Sequence, residues 1–283
     1  MGSKPSQAML THYINTLIHE CREKAQQLQP HQVVTAIYIG GGTPTLLSDD
    51  LLHLLLSTVA KNFGTPPEYT VEAGRPDTLT ITNMQLLRSY GVNRIAINAQ
   101  TLKNRTLTAI GRGHSAEDFY RAFSQARDVG FTCINTDLIV GLPGEDNIDF
   151  QSSLEAILAL KPENLTIHAL SIKRASALND LPDNPSIHMP ATKDLASHGY
   201  TPYYLYRQKN TVNLLENVGY TLPNHACLYN IGMMSEVQTV LGIGAGAVSK
   251  YIEGDKITRV FNEKNPEVYL ARRDSITPAP NGR

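Results

Sequence analysis

The fold of this chain is decided by residues 34–56, VTAIYIGGGTPTLLSDDLLHLLL, in which three glycines separate two different hydrophobic patterns. The residues before the glycines are β-branched, apolar or aromatic, which predicts a short buried strand. The leucine-rich residues after Ser48 predict a helix. Because glycine has no Cβ atom, the turn at residues 40–42 can approach a ligand closely with its backbone N–H and C=O groups. From this turn alone, a ligand site and a plain strand-to-helix connection are equally good interpretations.

Composition limits the function classes that remain. With 283 residues, of which 41% are hydrophobic and 18% charged, the chain can build one large or two ordinary domains. Its formal charge of −1 disfavours a nucleic-acid partner, because phosphate binding needs a basic surface. No apolar run reaches membrane-spanning length, and no signal-peptide pattern opens the chain. We therefore expect a cytoplasmic protein without nucleic-acid or membrane partners.

The unit of strand and helix in residues 34–56 recurs along the first half of the chain. Strands are predicted at residues 33–39, 69–73, 94–99, 133–139 and 165–170. Their ends follow one another at about 30 residues, the length of one βα unit. Alternating units of this kind predict an α/β fold with a parallel sheet, either doubly wound or curled into a barrel.

Two helices have clear local signals. Ser115 and Asp118 form a capping-box pattern at the start of a helix, and Gly130 ends it. Near the N-terminus, apolar residues at helical spacing form a stripe that includes Cys21. We therefore interpret Cys21 as a packed helix residue and not as a ligand.

Polar residues at the ends of the predicted strands favour the barrel. They are Glu72, Asn98, Gln100, Asp137 and His168. A buried parallel strand is normally almost entirely apolar, and β/α barrels carry their ligand site at the carboxyl ends of the strands. Each residue alone also has a structural explanation, but their recurrence on four consecutive strands predicts a polar cavity at that end of the sheet.

Several segments of the chain carry a resemblance to a known family. They are YIGGGTPT, VEAGRPDT, INAQT, GRGH at residues 111–114, and NTDLIVGLPGE. Together these resemble the radical S-adenosylmethionine enzymes, and more narrowly the oxygen-independent coproporphyrinogen III oxidase (dehydrogenase) group. IHALSIKRAS, YYLYRQKN, NLLENVGY and VQTVLGIGAGAVSKY resemble the HemZ-like branch of that group. The resemblance implies a partial (β/α)6 barrel over residues 1–190 that lacks its first strand, with a C-terminal extension over residues 191–283.

The same resemblance implies a set of contacts with the cofactor S-adenosylmethionine. The glycine turn would hold the methionine amino group, further polar residues would contact the rest of the cofactor, and two positions would touch its adenosine part. A zwitterion with a ribose and a sulfonium needs donors, acceptors and negative charge close together. The implied cofactor-binding residues are Gly41, Gly42, Thr43, Glu72, Gln100, Arg112, Asp137, Ser171 and Val248.

One part of the family pattern is missing from this chain. These enzymes bind a 4Fe–4S cluster through a Cys-x-x-x-Cys-x-x-Cys loop, but this chain opens with MGSKPSQAML and continues into the first predicted helix. Cys21, Cys133 and Cys227 lack the required spacing, so we expect no metal ligands and no activity from the chain alone. A truncated chain, a mis-started gene product and a natural cluster-free relative all fit, and the start close to the helix favours truncation.

By resemblance, the activity is that of a radical S-adenosylmethionine oxidoreductase in haem biosynthesis. The intact enzyme would decarboxylate two propionates of the tetrapyrrole coproporphyrinogen III without oxygen, with electrons from a donor protein. The competing interpretation is a cluster-free haem or porphyrin-binding protein. A third one, a barrel enzyme whose triple glycine binds phosphate, is disfavoured because no lysine lies near that turn.

The second half of the chain leaves two interpretations open. Tyr203, Tyr204 and Tyr206, with the cationic residues 207–209, suit contact with a flat tetrapyrrole that bears carboxylates. The same spacing also suits an edge strand with cross-strand tyrosines. Lys173 and Arg174 would either bind propionates or face water, and a lone His225 or Cys227 is a weak signal for a haem ligand.

Overall fold

The computed structural model of this protein describes residues 6–171, 192–206, 211 and 215–276. The chain divides into two compact units. The first, which we call the sheet unit, comprises Ala36–Leu46 and Pro67–Met234. The second unit comprises Met1–Thr35, Leu47–Pro66 and Ser235–Arg283. The boundary expected between residues 190 and 191 lies outside the described residues and stays a prediction.

The described residues form helices and strands in an order that begins with the predicted alternation. The helices are α1 (Gln7–Gln26), α2 (Asp49–Phe63), α3 (Ile81–Ser89), α4 (Asn104–Ala109), α5 (Ala116–Asp128), α6 (Asn147–Leu160), α7 (Thr192–Ser197), α8 (Leu228–Ser235) and α9 (Pro266–Ile276). The strands are β1 (Ala36–Ile39), β2 (Glu68–Glu72), β3 (Arg94–Ala96), β4 (Cys133–Val140), β5 (Asn164–Ala169), β6 (Thr201–Tyr206), β7 (Asn217–Thr221), β8 (Val248–Glu253) and β9 (Lys256–Phe261).

The sheet unit is built on seven strands in the order β1-β2-β3-β4-β5-β7-β6. The first five strands are parallel, and β7 runs antiparallel to both of its neighbours. The predicted α/β fold with a parallel sheet is therefore confirmed. Two strands are shorter than expected: β1 begins at Ala36, and β3 ends at Ala96, so that Asn98 and Gln100 follow the strand.

The capping signal of α5 is confirmed in detail. The Asp118 N–H donates to the Ser115 hydroxyl at 3.2 Å, and the Ser115 N–H donates to the Asp118 carboxylate at 2.9 Å. Two backbone donors at the helix start are thus satisfied reciprocally.

The two faces of the parallel sheet differ in polarity. Apart from the buried Thr136, one face is made of fully buried apolar residues: Val71, Ile95, Ile97, Ile134, Leu138, Leu165 and Ile167. The alternate residues on the other face line a cavity: Thr70, Glu72, Arg94, Asn98, Asn135, Asp137, Asn164, Thr166 and His168. The polar residues were expected only at the strand ends, but they extend along the whole inner face.

The sheet is curled around this cavity. Tyr38 on β1 and Tyr204 on β6 come from opposite edges of the sheet, yet both line the same space of about 170 Å3. Seven strands about 4.8 Å apart would hold the two edges far from each other in a flat sheet. The parallel strands therefore form part of a barrel whose inner face is polar.

The second unit contains α1, α2, the β8–β9 hairpin and α9. The buried Glu20 carboxylate of α1 accepts hydrogen bonds from the Gly244 N–H at 2.8 Å and the Tyr269 hydroxyl at 2.6 Å, which ties the C-terminal segment to this helix. Cys21 is buried beside it, as predicted. Within the described ranges, no helix combines the length and apolar character needed to span a membrane.

Candidate functional site

The candidate site is the cavity on the inner face of the sheet unit. Its amino end is formed by residues that open the strands, and its carboxyl end by residues near the strand ends. The cavity is strongly polar, with carboxylates, amides, hydroxyls, an imidazole and a guanidinium among its lining groups. Such groups converging in one concave space make it the default candidate for ligand binding.

Gln100 and Asp137 form the centre of the carboxyl end. The Gln100 side-chain amide donates to Asp137 Oδ2 at 2.8 Å, and its backbone N–H donates to the Asp137 carbonyl at 3.1 Å. Gln100 has φ = 63°, in the left-handed region that residues other than glycine rarely adopt. Such strain is common where a side chain must be aimed at a ligand.

Asp137 is only 7% exposed, and its Oδ1 atom has no hydrogen-bond partner in the described part of the chain. Burial raises the pKa of this carboxyl, while the charges of His168 and Arg112 and the hydrogen bonds from Gln100 lower it. A buried carboxylate oxygen without a donor is costly for the fold, and such orphans are concentrated at functional sites. The cavity therefore offers an acceptor, Asp137 Oδ1, to which a bound ligand can donate a hydrogen bond.

Glu72 connects the glycine turn to the carboxyl end. The Gly41 N–H donates to Glu72 Oε2 at 3.4 Å, and burial together with the Asp137 charge raises the pKa of the Glu72 carboxyl. A Cβ atom at Gly40 would lie 2.6 Å from Glu72 Oε2 and 2.6 Å from Tyr38 Cε1. Glycine is thus needed at position 40 for the turn to lie this close to the carboxylate.

The remaining implied cofactor-binding residues are distributed as follows. Arg112, at the end of α4, is close enough to Asp137 to lower the pKa of its carboxyl. Thr43 lies beside Gly74, at the carboxyl end of β2. Ser171 follows β5 and forms an isolated bridge with Thr211. Val248 begins β8, in the second unit. The structure thus brings together Gly41, Glu72, Gln100, Arg112 and Asp137, and their role in binding stays a prediction.

The amino end of the cavity contains a network that the sequence did not reveal. The Glu68 carboxylate accepts hydrogen bonds from the N–H groups of Leu228 and Tyr229 at 2.7 and 2.9 Å, and its Oε2 lies 3.7 Å from Arg94 Nε. The Arg94 guanidinium also donates to Asn164 Oδ1 and, at 3.0 Å, to the His225 carbonyl. Each charge in this buried network has partners.

The cysteines are thiols in packed surroundings. Burial raises the pKa values of Cys133 and Cys227 to about 12, and the Cys227 thiol donates to Glu68 Oε1 at 3.3 Å. Burial likewise raises the pKa of Cys21, in the second unit, to about 12. No group of three or more potential metal ligands occurs among the described residues. A haem ligand at Cys227 gains no support, because its thiol belongs to the network at the amino end, and a ligand at His225 stays an untested prediction.

Tyr204 of β6 is part of the cavity wall. The Tyr204 hydroxyl lies 3.0 Å from the Thr166 hydroxyl, while the Tyr203 hydroxyl accepts from Asn230 at 2.9 Å. β6 is indeed an edge strand of the described sheet, but its tyrosines are half-buried and not solvated. The predicted cationic contacts at residues 173, 174 and 207–209 lie outside the described residues.

Three residues near the carboxyl end were not assigned to the S-adenosylmethionine set from the sequence. His168 lies 3.7 Å from Asp137, and Tyr206 and Asn217 contact the other side of its ring. The alternation of polar and apolar residues in NLTIHA, residues 164–169, is a signal that places His168 on the polar face of β5. Tyr206 was singled out only as a possible tetrapyrrole contact, and no local pattern indicates Asn217, because both come from the antiparallel strands.

Comparisons with known proteins agree with this architecture. Residues 8–157 match the family model described as the radical SAM superfamily. In fold, 96% of this chain superposes on 64% of the chain in the structure titled "Coproporphyrinogen III oxidase (HemN) from Escherichia coli is a Radical SAM enzyme", with a TM-score of 0.73 and 21% sequence identity. The predicted partial radical S-adenosylmethionine barrel is therefore confirmed as the fold class.

Two curated relatives align with most of the chain. The "Oxygen-independent coproporphyrinogen-III oxidase-like protein HemZ" of Bacillus subtilis is 43% identical over 279 residues, covering 92% of this chain and 55% of that protein. The "Heme chaperone HemW" of the same organism is 30% identical over 252 residues, covering 88% of this chain and 65% of that protein. The chain thus spans about half the length of the first relative and less than two thirds of the second.

Proposed function

We propose that this chain, which belongs to the radical SAM superfamily, binds S-adenosylmethionine at the carboxyl end of its cavity. Gly41, Gly42 and Thr43 would receive the methionine moiety, and Glu72, Gln100, Arg112 and Asp137 would surround the polar groups of the cofactor. Ser171 would complete the set at the adenosine part, and Val248, in the second unit, stays an expectation from the resemblance.

One observation carries this proposal: Asp137 is buried with an unpartnered oxygen, next to Glu72, whose pKa is also raised by burial. Two such carboxylates in a polar cavity suit a ligand that brings hydroxyl donors and positive charge. S-adenosylmethionine has both, in its ribose and in its sulfonium and ammonium groups. The residues present therefore fit this cofactor.

For the whole protein, we infer oxygen-independent oxidative decarboxylation of coproporphyrinogen III propionates, within haem biosynthesis. The similarity to the HemZ protein supports the assignment, and the fold shared with the coproporphyrinogen III oxidase is consistent with it. Electrons would come from a donor protein. When bound, S-adenosylmethionine supplies radical chemistry in this family, and the residues of this chain would bind and orient it.

The 4Fe–4S cluster of the family does not fit the residues of this chain. Cys133 and Cys227 lie near the amino end of the cavity, where the Cys227 thiol donates a hydrogen bond to Glu68, and Cys21 is buried in α1. All three thiols have raised pKa values, whereas cluster ligands are thiolates. We therefore propose that this chain binds the cofactor but does not cleave it alone.

Calorimetric titration with S-adenosylhomocysteine tests the binding proposal. We expect binding by the unmodified chain and an affinity about 5- to 150-fold lower for Asp137→Ala and Glu72→Ala, because each variant leaves ligand donors without a buried acceptor, at about 1–3 kcal/mol. Glu155→Ala is the control, since Glu155 is an exposed carboxylate of α6. Equal affinities of all four chains would contradict the proposed site.

The second candidate function is binding of haem or a porphyrin without radical chemistry. The similarity to proteins named heme chaperones favours it, since 88% of this chain aligns with one of them. A titration with haemin, followed by the shift of its absorbance maximum, would separate the two functions. Stoichiometric haem binding by a chain that does not bind S-adenosylhomocysteine would favour this second candidate.

A further inference from the structure

His168 is held between three polar groups from three different strands. Its Nε2 atom lies 3.7 Å from Asp137 Oδ2 on β4. On the other side of the ring, Nδ1 lies 3.2 Å from Asn217 Oδ1 on β7 and 3.2 Å from the Tyr206 hydroxyl on β6. The imidazole thus separates the unpartnered carboxylate from a pair of neutral polar side chains.

The surroundings of Asn217 fix which end of its amide faces His168. The Ala169 N–H donates to Asn217 Oδ1 at 3.1 Å, and Asn217 Nδ2 donates to the Tyr206 carbonyl at 3.3 Å. A backbone N–H can only donate and a carbonyl can only accept, so the amide oxygen must face His168. Nδ1 donates to this oxygen when it carries the hydrogen and accepts from the Tyr206 hydroxyl when it does not, so both tautomers hold the ring with Nε2 directed at Asp137.

This orientation decides what Nε2 does for Asp137. In a neutral ring protonated at Nδ1, Nε2 is an acceptor and faces another acceptor, the Asp137 carboxylate. The approach is favourable when Nε2 also carries a proton, because the imidazolium then pairs with the ionised carboxylate. Asp137 Oδ1, on the same carboxylate, keeps its free lone pairs for a ligand.

We propose that His168 is a positioning residue, oriented by Asn217, that keeps the Asp137 carboxylate ionised and turned toward a hydroxyl-bearing ligand. The proposal rests on the proposed function in one respect, namely that the ligand is a nucleoside such as the adenosine part of S-adenosylmethionine. Asp137 receives the ligand, and His168 acts through it.

The other charges near Asp137 define the direction of the effect. Burial raises the pKa of Asp137, and His168 and Arg112 are the two charges that lower it. Glu72 is the nearby like charge, and Tyr204 and Tyr206 are neutral phenols whose pKa values burial and Asp137 raise further. When His168 is removed, Arg112 is the one of these two cations that remains beside the carboxyl group. Asp137 should therefore keep its proton up to a higher pH.

The first test needs no ligand. The carboxyl 13C signal of Asp137, assigned with Asp137→Asn, is followed against pH in the unmodified chain and in His168→Gln. We expect its midpoint to rise by about 1 to 3 pH units in the variant, the usual effect of losing a nearby opposite charge. His198→Gln is the matched control, because His198 is exposed at the end of α7, and it should leave the midpoint unchanged.

An unchanged Asp137 midpoint in His168→Gln would overturn the proposal. The second test measures S-adenosylhomocysteine affinity against pH by calorimetry. Affinity should fall as Asp137 becomes protonated, and in His168→Gln the fall should begin about 1 to 3 pH units higher. Identical pH profiles would also refute the role of His168. If the unmodified chain does not bind at any pH, the proposed function fails, while the carboxyl titration still decides on His168.

Discussion

The two ends of the cavity differ in how completely their buried charges are hydrogen-bonded. At the amino end, Glu68 and Arg94 are each held by several partners, from the start of α8, from Asn164 and from the His225 carbonyl. At the carboxyl end, Asp137 keeps one oxygen without any partner in the described structure. Both sets lie on the same polar face of the same sheet.

The difference separates residues that maintain the fold from residues that are available to a ligand. A buried charge is stable when all its hydrogen-bond and ion-pair partners are present. Removing one partner leaves the desolvation cost of the charge uncompensated, which destabilises the fold. A buried charge with an unmade hydrogen bond already bears part of that cost, and a ligand can relieve it. We therefore expect substitutions at the amino end to affect stability and those at the carboxyl end to affect binding.

The largest effect should come from Arg94→Met at the amino end. The variant leaves the Glu68 carboxylate buried without its cation, and breaking a buried pair in this way typically costs about 3–5 kcal/mol. The side chains of Arg94 and Glu68 are only 10% and 5% exposed, so water cannot compensate for the loss. Denaturant unfolding followed by circular dichroism measures the change in the free energy of unfolding.

Arg121→Met is the matched control for this substitution. Arg121 pairs with Asp118 on α5 but is 57% exposed, and such surface pairs contribute about 0–1 kcal/mol. The double variant Glu68→Gln with Arg94→Met should recover part of the lost stability, because no unpaired charge remains. Equal effects of Arg94→Met and Arg121→Met would show that the amino end is not a structural network.

The contrast between the two ends also explains what the sequence could predict. The parallel strands, the α5 capping box and the polar residues at the strand ends have local patterns, and each was found. The amino-end network joins Glu68 to Cys227, 159 residues away, and no local pattern encodes such a pairing. The same holds for Tyr206 and Asn217, whose position beside His168 depends on the strand order β5-β7-β6.

At the carboxyl end, Asp137→Asn should weaken binding without weakening the fold. Burial raises the pKa of Asp137 above its unfolded value, so the stability linked to its proton is present at low pH and is lost as the pH rises through the folded pKa. The amide does not ionise and should not show this loss. The free energy of S-adenosylhomocysteine binding to Asp137→Asn should be less favourable by about 1–3 kcal/mol.

Unfolding free energies of both chains between acid and neutral pH, together with calorimetric titration, measure the two effects. The exposed variant Glu155→Gln serves as control, since it should change neither property. A loss of stability in Asp137→Asn as large as that in Arg94→Met would remove the distinction between the two ends.

A smaller effect is expected from Gly40→Ala at the glycine turn. The new Cβ atom would lie 2.6 Å from Glu72 Oε2, so the carboxylate must move away from the Gly41 N–H. Loss of one such hydrogen bond should lower the S-adenosylhomocysteine affinity by about 1 kcal/mol. In a Glu72→Ala background the same substitution should have a smaller further effect, because only the clash with Tyr38 Cε1, also at 2.6 Å, remains. Additive losses in the double variant would show that the turn acts independently of Glu72.

The last comparison is between two buried threonines, Thr70 and Thr221. The Thr70 hydroxyl has no partner within the described ranges, whereas the Thr221 hydroxyl accepts from Asn164 at 3.0 Å and donates to the Leu222 carbonyl at 2.9 Å. Thr221→Val should lose about 0.5–1.5 kcal/mol for each bond, while Thr70→Val should leave the free energy of unfolding unchanged or raise it by up to about 1 kcal/mol. The two variants remove the same group at similar burial, so denaturant unfolding isolates the hydrogen bonds. Equal losses of unfolding free energy would mean that an ordered water is hydrogen-bonded to the Thr70 hydroxyl. The part of the cavity around Thr70 would then resemble the amino end, where the polar groups have their partners.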